Sequence, residues 1–194
     1  MRKYLFLAAA FMLPAAILIS CNNTAPASTA STTNTTPEDL VKRGEYLVTT
    51  MGCNDCHSPK RMGPNGPELI PELLLSGHHA ETPIPKADLT SVKNGYLVMS
   101  PDLTAAYGPW GTSYAANLTS DSTGIGLWTE AQFATALKKG KAKGLDSNRM
   151  LLPPMPWTNF VNIKDEDLKA MFAYLKATKA VKNVVPPPVP PTQP

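Results

Sequence analysis

The sequence predicts an all-α domain in which an N-terminal and a C-terminal helix pack together, with a proline- and glycine-rich insertion between them. Apolar residues recur at helical spacing in residues 38–51 and again in residues 162–181. Residues 127–140 carry the start and stop signals of a third helix. The 20 prolines in 194 residues, about twice the ordinary usage, indicate a loop-rich body around these helices.

Each predicted helix has a specific signature. The first carries an apolar stripe that includes Gly44, which has no side chain and allows a close helix crossing. The middle helix begins with a capping-box pattern at Thr129 and Gln132 and stops at Gly140. The last helix has three acidic residues in its first turn, as the helix dipole favours, and an apolar stripe formed by Leu168, Met171, Phe172 and Leu175.

The first twenty residues, 1–20, are predicted to be a signal peptide. Arg2 and Lys3 form a positive region, and the apolar run after them is shorter than the roughly 20 residues of a membrane span. The run ends in LISC, which resembles the cleavage box of bacterial lipoproteins, so we expect Cys21 to be lipidated and to become the mature N-terminus. An ordinary signal peptide with a chance cysteine is the alternative. Both interpretations predict export.

Two segments of biased composition flank the predicted domain. Residues 21–37 comprise the lipid anchor and a linker rich in Thr, Ser and Ala, which has too little apolar surface to fold and is expected to be flexible. Residues 185–194 are rich in proline and are expected to form a stiff, solvated tail. The folded domain is therefore predicted to span residues 38–184.

The charge balance argues against nucleic acid as a partner. The chain has 18 Lys and Arg residues and 15 Asp and Glu residues. Removal of Arg2 and Lys3 with the signal peptide leaves 16 basic and 15 acidic residues, a net charge near +1. Phosphate backbones are bound by clustered Lys and Arg side chains, which a nearly neutral chain does not supply.

The chemistry of the sequence is concentrated in CNDCH, where Cys53 and Cys56 are followed at once by His57. Once Cys21 is assigned to the lipid, these are the last two of three cysteines. A redox or disulfide pair and a metal site are the alternatives, but no βαβ pattern and no second pair of ligands accompany the motif. Cys-x-x-Cys-His is the attachment signature of c-type haem. It predicts one covalent haem c, with His57 as an axial iron ligand.

The second iron ligand is predicted from a segment whose backbone is restrained by prolines. Met155 lies between Pro154 and Pro156, so its backbone is held extended and non-helical. Met150, His78 and His79 are the alternatives. The two histidines are most simply solvent-exposed loop residues, although a contact with a haem propionate is also open to them.

The order of these features resembles that of class I c-type cytochromes. A helix precedes CNDCH, and LLPPMPW, with its proline-flanked methionine, precedes a terminal helix; the family places its methionine ligand there, at Met155. Residues 38–184 are further similar to cytochrome subunits of membrane-bound alcohol and sugar-acid dehydrogenases. Those subunits commonly carry several haem motifs, whereas this chain has one. Lys164 stands where they commonly have a helix-capping threonine.

We therefore predict a one-electron carrier rather than an enzyme, since no nucleophile elbow or phosphate-binding loop is evident. Its partners would be redox proteins, a dehydrogenase or a terminal oxidase, and a lipid anchor would hold it to the membrane on the periplasmic side. Asn22 is compatible with sorting to the outer membrane. The alternatives are a cytochrome subunit of a dehydrogenase complex, and a haem enzyme or gas sensor with an open iron position.

Overall fold

A computed structural model describes residues 36–84 and 89–191 of the chain. The predicted signal peptide, Cys21 and the linker up to residue 35 lie outside these residues. Among the residues described, no helix combines the length and the apolar character that crossing a membrane requires.

Helices α1 (Pro37–Thr50) and α5 (Asp165–Ala177) cross at close range, as the sequence predicts. A Cβ on Gly44 would overlap the carbonyl oxygen of Ala170, so the crossing depends on glycine at this position. Helix α5 has no side-chain cap, because Lys164 occupies its N-cap position. Its start is instead supported by acidic residues in the first turn, which interact favourably with the helix dipole.

Helix α4 (Glu130–Lys139) packs against α5 and completes the helical frame, by which we mean α1, α4 and α5. The predicted capping box is present, with Thr129 and Gln132 each capping the other's backbone N–H. The predicted stop is also present, since Gly140 has a left-handed φ of 65°. The ring centroids of Phe133 and Phe172 lie 5.5 Å apart. The frame therefore encloses the main apolar core, which contains Leu47, Val48, Phe133, Leu137, Leu168, Ala170, Met171 and Leu175.

The prediction of an all-α fold is wrong, because the inserted region contains two antiparallel sheets. One is a hairpin of β1 (Lys60–Gly63) and β2 (Gly66–Leu69). The other has the strand order β3-β4-β5, formed by Val98–Met99, Ala105–Gly108 and Gly111–Tyr114. Two short helices, α2 and α3, lie at Cys53–His57 and Leu89–Lys93. Three single turns of 3₁₀-helix lie at Pro71–Leu73, Ala142–Gly144 and Trp157–Phe160.

The strands escaped prediction because they are too short to show a period of two. Each has two to four residues, whereas an alternating pattern is recognised over four to eight. Strand β4 is covered on both faces and has no β-branched residue. Its sequence AAYG therefore carries neither the alternation nor the composition that is typical of a strand.

The proline-rich tail is bridged to the inserted sheet, a contact that the sequence does not predict. Val189 forms an antiparallel bridge with Thr112 of β5, through two backbone hydrogen bonds of 2.8 and 3.0 Å. Asn183 is buried, and its amide donates to the carbonyl oxygens of Ser76 and His78. The segment after α5 thus closes over the inserted sheet, because its backbone finds partners there that its composition does not reveal.

Candidate functional site

Helix α2 brings both cysteines of the motif onto a single turn directly after α1. Gly52 joins the two helices with a φ of 72°, a left-handed conformation that glycine adopts without strain. Cys53 and Cys56 are partly buried and are not bonded to each other. Residues three apart on a helix face the same side, so the two sulfur atoms can react with neighbouring groups of one cofactor.

The thiol environment argues against a redox dithiol. Burial raises the pKa of Cys53 to about 11, and burial also raises the pKa of Cys56. Reactive dithiols instead have a lowered pKa, because the thiolate is the attacking species. Among the residues described, no group of three or more His, Cys, Asp and Glu side chains could hold a metal ion. The donors present therefore fit a haem rather than a zinc ion.

His57 is oriented by a backbone carbonyl from the segment that follows β5. Its Nδ1 lies 2.7 Å from the carbonyl oxygen of Ala116. Because a carbonyl only accepts hydrogen bonds, Nδ1 carries the proton and the lone pair is on Nε2. Burial lowers the pKa of His57, which keeps the imidazole neutral. The ring is thus in the tautomer and protonation state that binds iron through Nε2.

Lys60 caps the carboxyl end of α2, a role that the motif alone does not indicate. Its ammonium group donates to the carbonyl oxygens of Asp55, Ser58 and Asp102, at 2.6, 2.9 and 3.1 Å. A cation is favoured at a helix carboxyl end, where carbonyl groups lack partners. Lys60 therefore ties the attachment helix to the inserted region, and its position just after the motif was the available signal.

Met155 is partly buried and packs against the same apolar core that Cys53 borders. Its carbonyl oxygen accepts a hydrogen bond of 2.9 Å from the backbone N–H of Trp157. The alternative Met150 is 40% exposed and forms a backbone bridge with Lys141. Cys53 and Met155 therefore share one core, whereas Met150 does not belong to it. The role of Met155 as an iron ligand stays a prediction.

The expectation that His78 is a solvent-exposed loop residue is wrong. His78 is 1% exposed, and its ring stacks on Tyr114 with a centroid distance of 4.8 Å. Its Nδ1 lies 2.7 Å from the hydroxyl oxygen of Thr104, and that hydroxyl donates to the Asp102 carboxylate at 2.8 Å. His79 is partly buried, with Nε2 2.9 Å from the Ser76 hydroxyl. The inserted sheet, which sequence analysis missed, is what buries His78.

Sequence reasoning also missed Ala116 and Ser113, which hold the two predicted ligand segments. Ala116 acts through its backbone, which has no sequence signal. Ser113 is buried in β5, and its hydroxyl donates to the carbonyl oxygen of Pro153 at 2.6 Å. Such a contact between residues forty positions apart follows from the tertiary structure alone.

Comparisons with known proteins agree with the donor set. The profile of the family described as Cytochrome c matches residues 41–179. One subunit of the nicotinate dehydrogenase of Pseudomonas putida is 40% identical over 79 residues, which cover 40% of this chain and 6% of that protein.

Two further relatives match more of the chain. The gluconate 2-dehydrogenase cytochrome c subunit of Pantoea cypripedii is 33% identical over 136 residues, which cover 70% of this chain and 22% of that protein. The alcohol dehydrogenase (quinone) cytochrome c subunit of Gluconobacter oxydans is 30% identical over 138 residues, which cover 71% of this chain and 21% of that protein. The chain thus spans less than a quarter of the length of each of these three relatives.

Proposed function

Because the chain belongs to the cytochrome c family, we propose that it is an envelope-anchored electron carrier that accepts electrons from a dehydrogenase. It is an electron-transfer protein rather than a catalytic enzyme, and its cofactor is covalently bound haem c. When bound, the haem supplies the redox chemistry, because its iron alternates between Fe(II) and Fe(III). The chain's own residues attach, orient and shield that group.

The observation that carries this proposal is the geometry of α2. One helical turn presents both thiols, and the next residue is an imidazole whose Nδ1 proton is fixed by the Ala116 carbonyl at 2.7 Å. Cys53 and Cys56 form the thioether bonds in this proposal, and His57 binds iron through Nε2. Met155 supplies the second axial ligand, a thioether sulfur that raises the potential by favouring the reduced state.

The donor is proposed to be a dehydrogenase. The relatives are named as subunits of nicotinate, gluconate and alcohol dehydrogenases. A cytochrome subunit of such a complex is therefore the second candidate function, in which this chain stays bound to the protein that reduces it. A terminal oxidase is the acceptor in both cases.

The location is proposed from the N-terminal segment. The signal peptide of residues 1–20 and lipidation of Cys21 place the domain on the periplasmic side of a bacterial membrane. Asn22, directly after the lipidated cysteine, favours the outer membrane.

Attachment of the haem is tested by acid–acetone extraction of denatured protein. The wild type is expected to keep its haem in the protein fraction, because thioether bonds survive denaturation. Cys53→Ser/Cys56→Ser should lose it. Cys21→Ser is the matched control, since it removes a cysteine outside the motif, and it should keep the haem. Extraction of haem from the wild type, or retention by the double variant, contradicts the proposal.

The anchor is tested by fractionation of cells and mass spectrometry of the mature N-terminus. We expect an acylated Cys21 in the membrane fraction. Cys21→Ser should release soluble protein that still contains haem, because the site lies in the folded domain. A mature chain that retains residues 1–20 would show that the anchor is assigned wrongly, and it would leave the haem assignment intact.

A further inference from the structure

The loop that carries Met155 cannot be anchored through most of its backbone N–H groups. Pro153, Pro154 and Pro156 have no N–H to donate. The N–H of Met155 bonds within the loop, to the carbonyl oxygen of Leu152 at 3.3 Å. The position of Met155 relative to the rest of the molecule must therefore depend on side-chain contacts and on the carbonyl groups of the loop.

One such carbonyl is held from the inserted sheet. The Ser113 hydroxyl donates to the carbonyl oxygen of Pro153, two residues before Met155, at 2.6 Å. Among the hydrogen bonds of the described residues, this is the contact that reaches residues 152–156 from a distant part of the chain. Ser113 is buried whereas Pro153 is exposed, so the Ser113 hydroxyl is the partner that would be costly to leave without a hydrogen bond.

The direction of the Ser113 hydroxyl is fixed by Trp110. The indole Nε1–H of Trp110 donates to the Ser113 oxygen at 3.2 Å. An indole N–H is a donor only, so it occupies a lone pair and leaves the hydroxyl proton for the Pro153 carbonyl. A Cβ on Gly108 would overlap the indole ring, which shows how closely the ring packs on its own hairpin.

The same short segment also holds His57. Strand β5 is paired with β4 on one side, and Thr112 is bridged to Val189 on the other. The chain continues from Ser113 to Ala116, whose carbonyl accepts from His57. Contacts to the two predicted ligand segments thus originate three residues apart, from Ser113 within β5 and from Ala116 two residues beyond its end.

We infer that residues 113–116 act as a bracket that positions both axial ligands, with Ser113 as a positioning residue for Met155. This inference rests on the proposed ligation by His57 and Met155. Because the bracket begins in the paired strand β5, and the N–H of Ala115 donates to the carbonyl oxygen of Thr104 at 2.8 Å, it resists separation of the two ligand segments. Loss of the Ser113 hydroxyl releases Pro153, so Met155 leaves the iron more readily and an external ligand competes better for its place.

Carbon monoxide affinity of the reduced protein tests the bracket. Ser113→Ala is expected to bind carbon monoxide roughly three- to tenfold more tightly than the wild type, the factor that one hydrogen bond contributes. Ser120→Ala is the matched control, because the Ser120 hydroxyl donates to the Thr178 carbonyl at the same 2.6 Å, away from the methionine loop. It should lose similar stability in urea unfolding without any change in affinity for carbon monoxide. Ser113→Thr, which keeps the hydroxyl, should restore the wild-type value.

Three results overturn the bracket. The first is an affinity for carbon monoxide in Ser113→Ala that equals the wild-type value. The second is an equal gain of this affinity in Ser120→Ala, because the effect would then come from a general loss of stability. If Ser113→Ala does not fold, Trp110→Phe is measured instead, because it removes the donor that orients the Ser113 hydroxyl. It should show a smaller gain in affinity for carbon monoxide, and the absence of any gain is the third overturning result. Met155→Ala, measured in the same experiment, tests the ligation by Met155 separately from the bracket. An unchanged spectrum in Met155→Ala overturns the ligation and the bracket together, whereas failure of Ser113→Ala alone leaves the ligation standing.

Discussion

The helical frame and the inserted region are stabilised by different interactions. In the frame, the buried side chains are almost all apolar, and α1 and α5 meet at Gly44 with no side chain between them. In the inserted region, many of the buried side chains are polar and hydrogen-bonded, among them Ser58, Ser76, His78, Asp102, Thr104 and Ser113. None of the buried side-chain nitrogen and oxygen atoms in the described residues lacks a partner.

Because of this difference, the frame mainly determines the stability of the protein, and the inserted region also determines the geometry of the predicted ligands. Apolar packing is non-directional, and its free energy follows the area that is buried. Hydrogen bonds between buried groups are directional, and each is costly to leave unmade. We therefore expect substitutions in the frame to change the free energy of unfolding, and substitutions in the inserted region to change the surroundings of His57 and Met155 as well.

The largest effect on the free energy of unfolding is expected from Gly44→Val, which disrupts the packing of α1 against α5 in the frame. The added side chain would overlap the backbone of Ala170, so α1 and α5 must separate. We expect a loss of about 3 kcal/mol or more in the free energy of unfolding, at the upper end for overpacked sites. Urea unfolding of the holoprotein measures it.

Thr49→Val is the control for this prediction, because Thr49 lies exposed on the same helix. It should change the stability by less than about 0.5 kcal/mol. Equal stability of Gly44→Val and Thr49→Val would show that the helices do not meet closely at Gly44.

A smaller, pH-dependent effect on the free energy of unfolding is expected from Asp102→Asn, which removes a buried carboxylate from the inserted region. Burial opposes ionisation of Asp102, but hydrogen bonds from Ser100 and Thr104 outweigh it, so its pKa lies below the usual 3.8. A lowered carboxyl pKa contributes stability that is present above the unfolded pKa and is lost as the pH falls through the folded pKa. We expect the variant to be less stable by about 1–2 kcal/mol at pH 7, with the difference shrinking as the pH falls below about 4.

Urea unfolding at several pH values measures this difference. Asp146→Asn serves as the control, because its ion pair with Lys139 is exposed and contributes little. A gap between wild type and Asp102→Asn that is independent of pH would mean that the carboxylate is not stabilised in its charged form.

The sequence carried enough information for the frame and for part of the site. Helices α1, α4 and α5, the Thr129 capping box and the close approach at Gly44 were all predicted, because periodicity and capping are local signals. The roles of Cys53, Cys56 and His57 were predicted from a local signal too, a contiguous motif, and stay a prediction.

The rest depends on contacts between distant residues. The Ser113–Pro153 bond, the Ala116–His57 bond and the bridge between Thr112 and Val189 join residues that are far apart in sequence. Short strands without alternation gave no sign of the sheet, and burial of His78 follows from that sheet. Backbone groups that orient side chains have no residue type by which they can be recognised.

The central claim, a one-electron carrier with His57 and Met155 on the haem iron, is tested most directly by Met155→Ala beside Met150→Ala. Spectra and midpoint potentials of the purified holoproteins are compared. We predict that Met155→Ala loses the weak sulfur-to-iron band near the red end of the oxidised spectrum. Its potential should fall by on the order of 100 mV, because a thioether ligand favours the reduced state. Met150→Ala should keep both properties. Retention of band and potential by Met155→Ala, with their loss in Met150→Ala, would contradict the account.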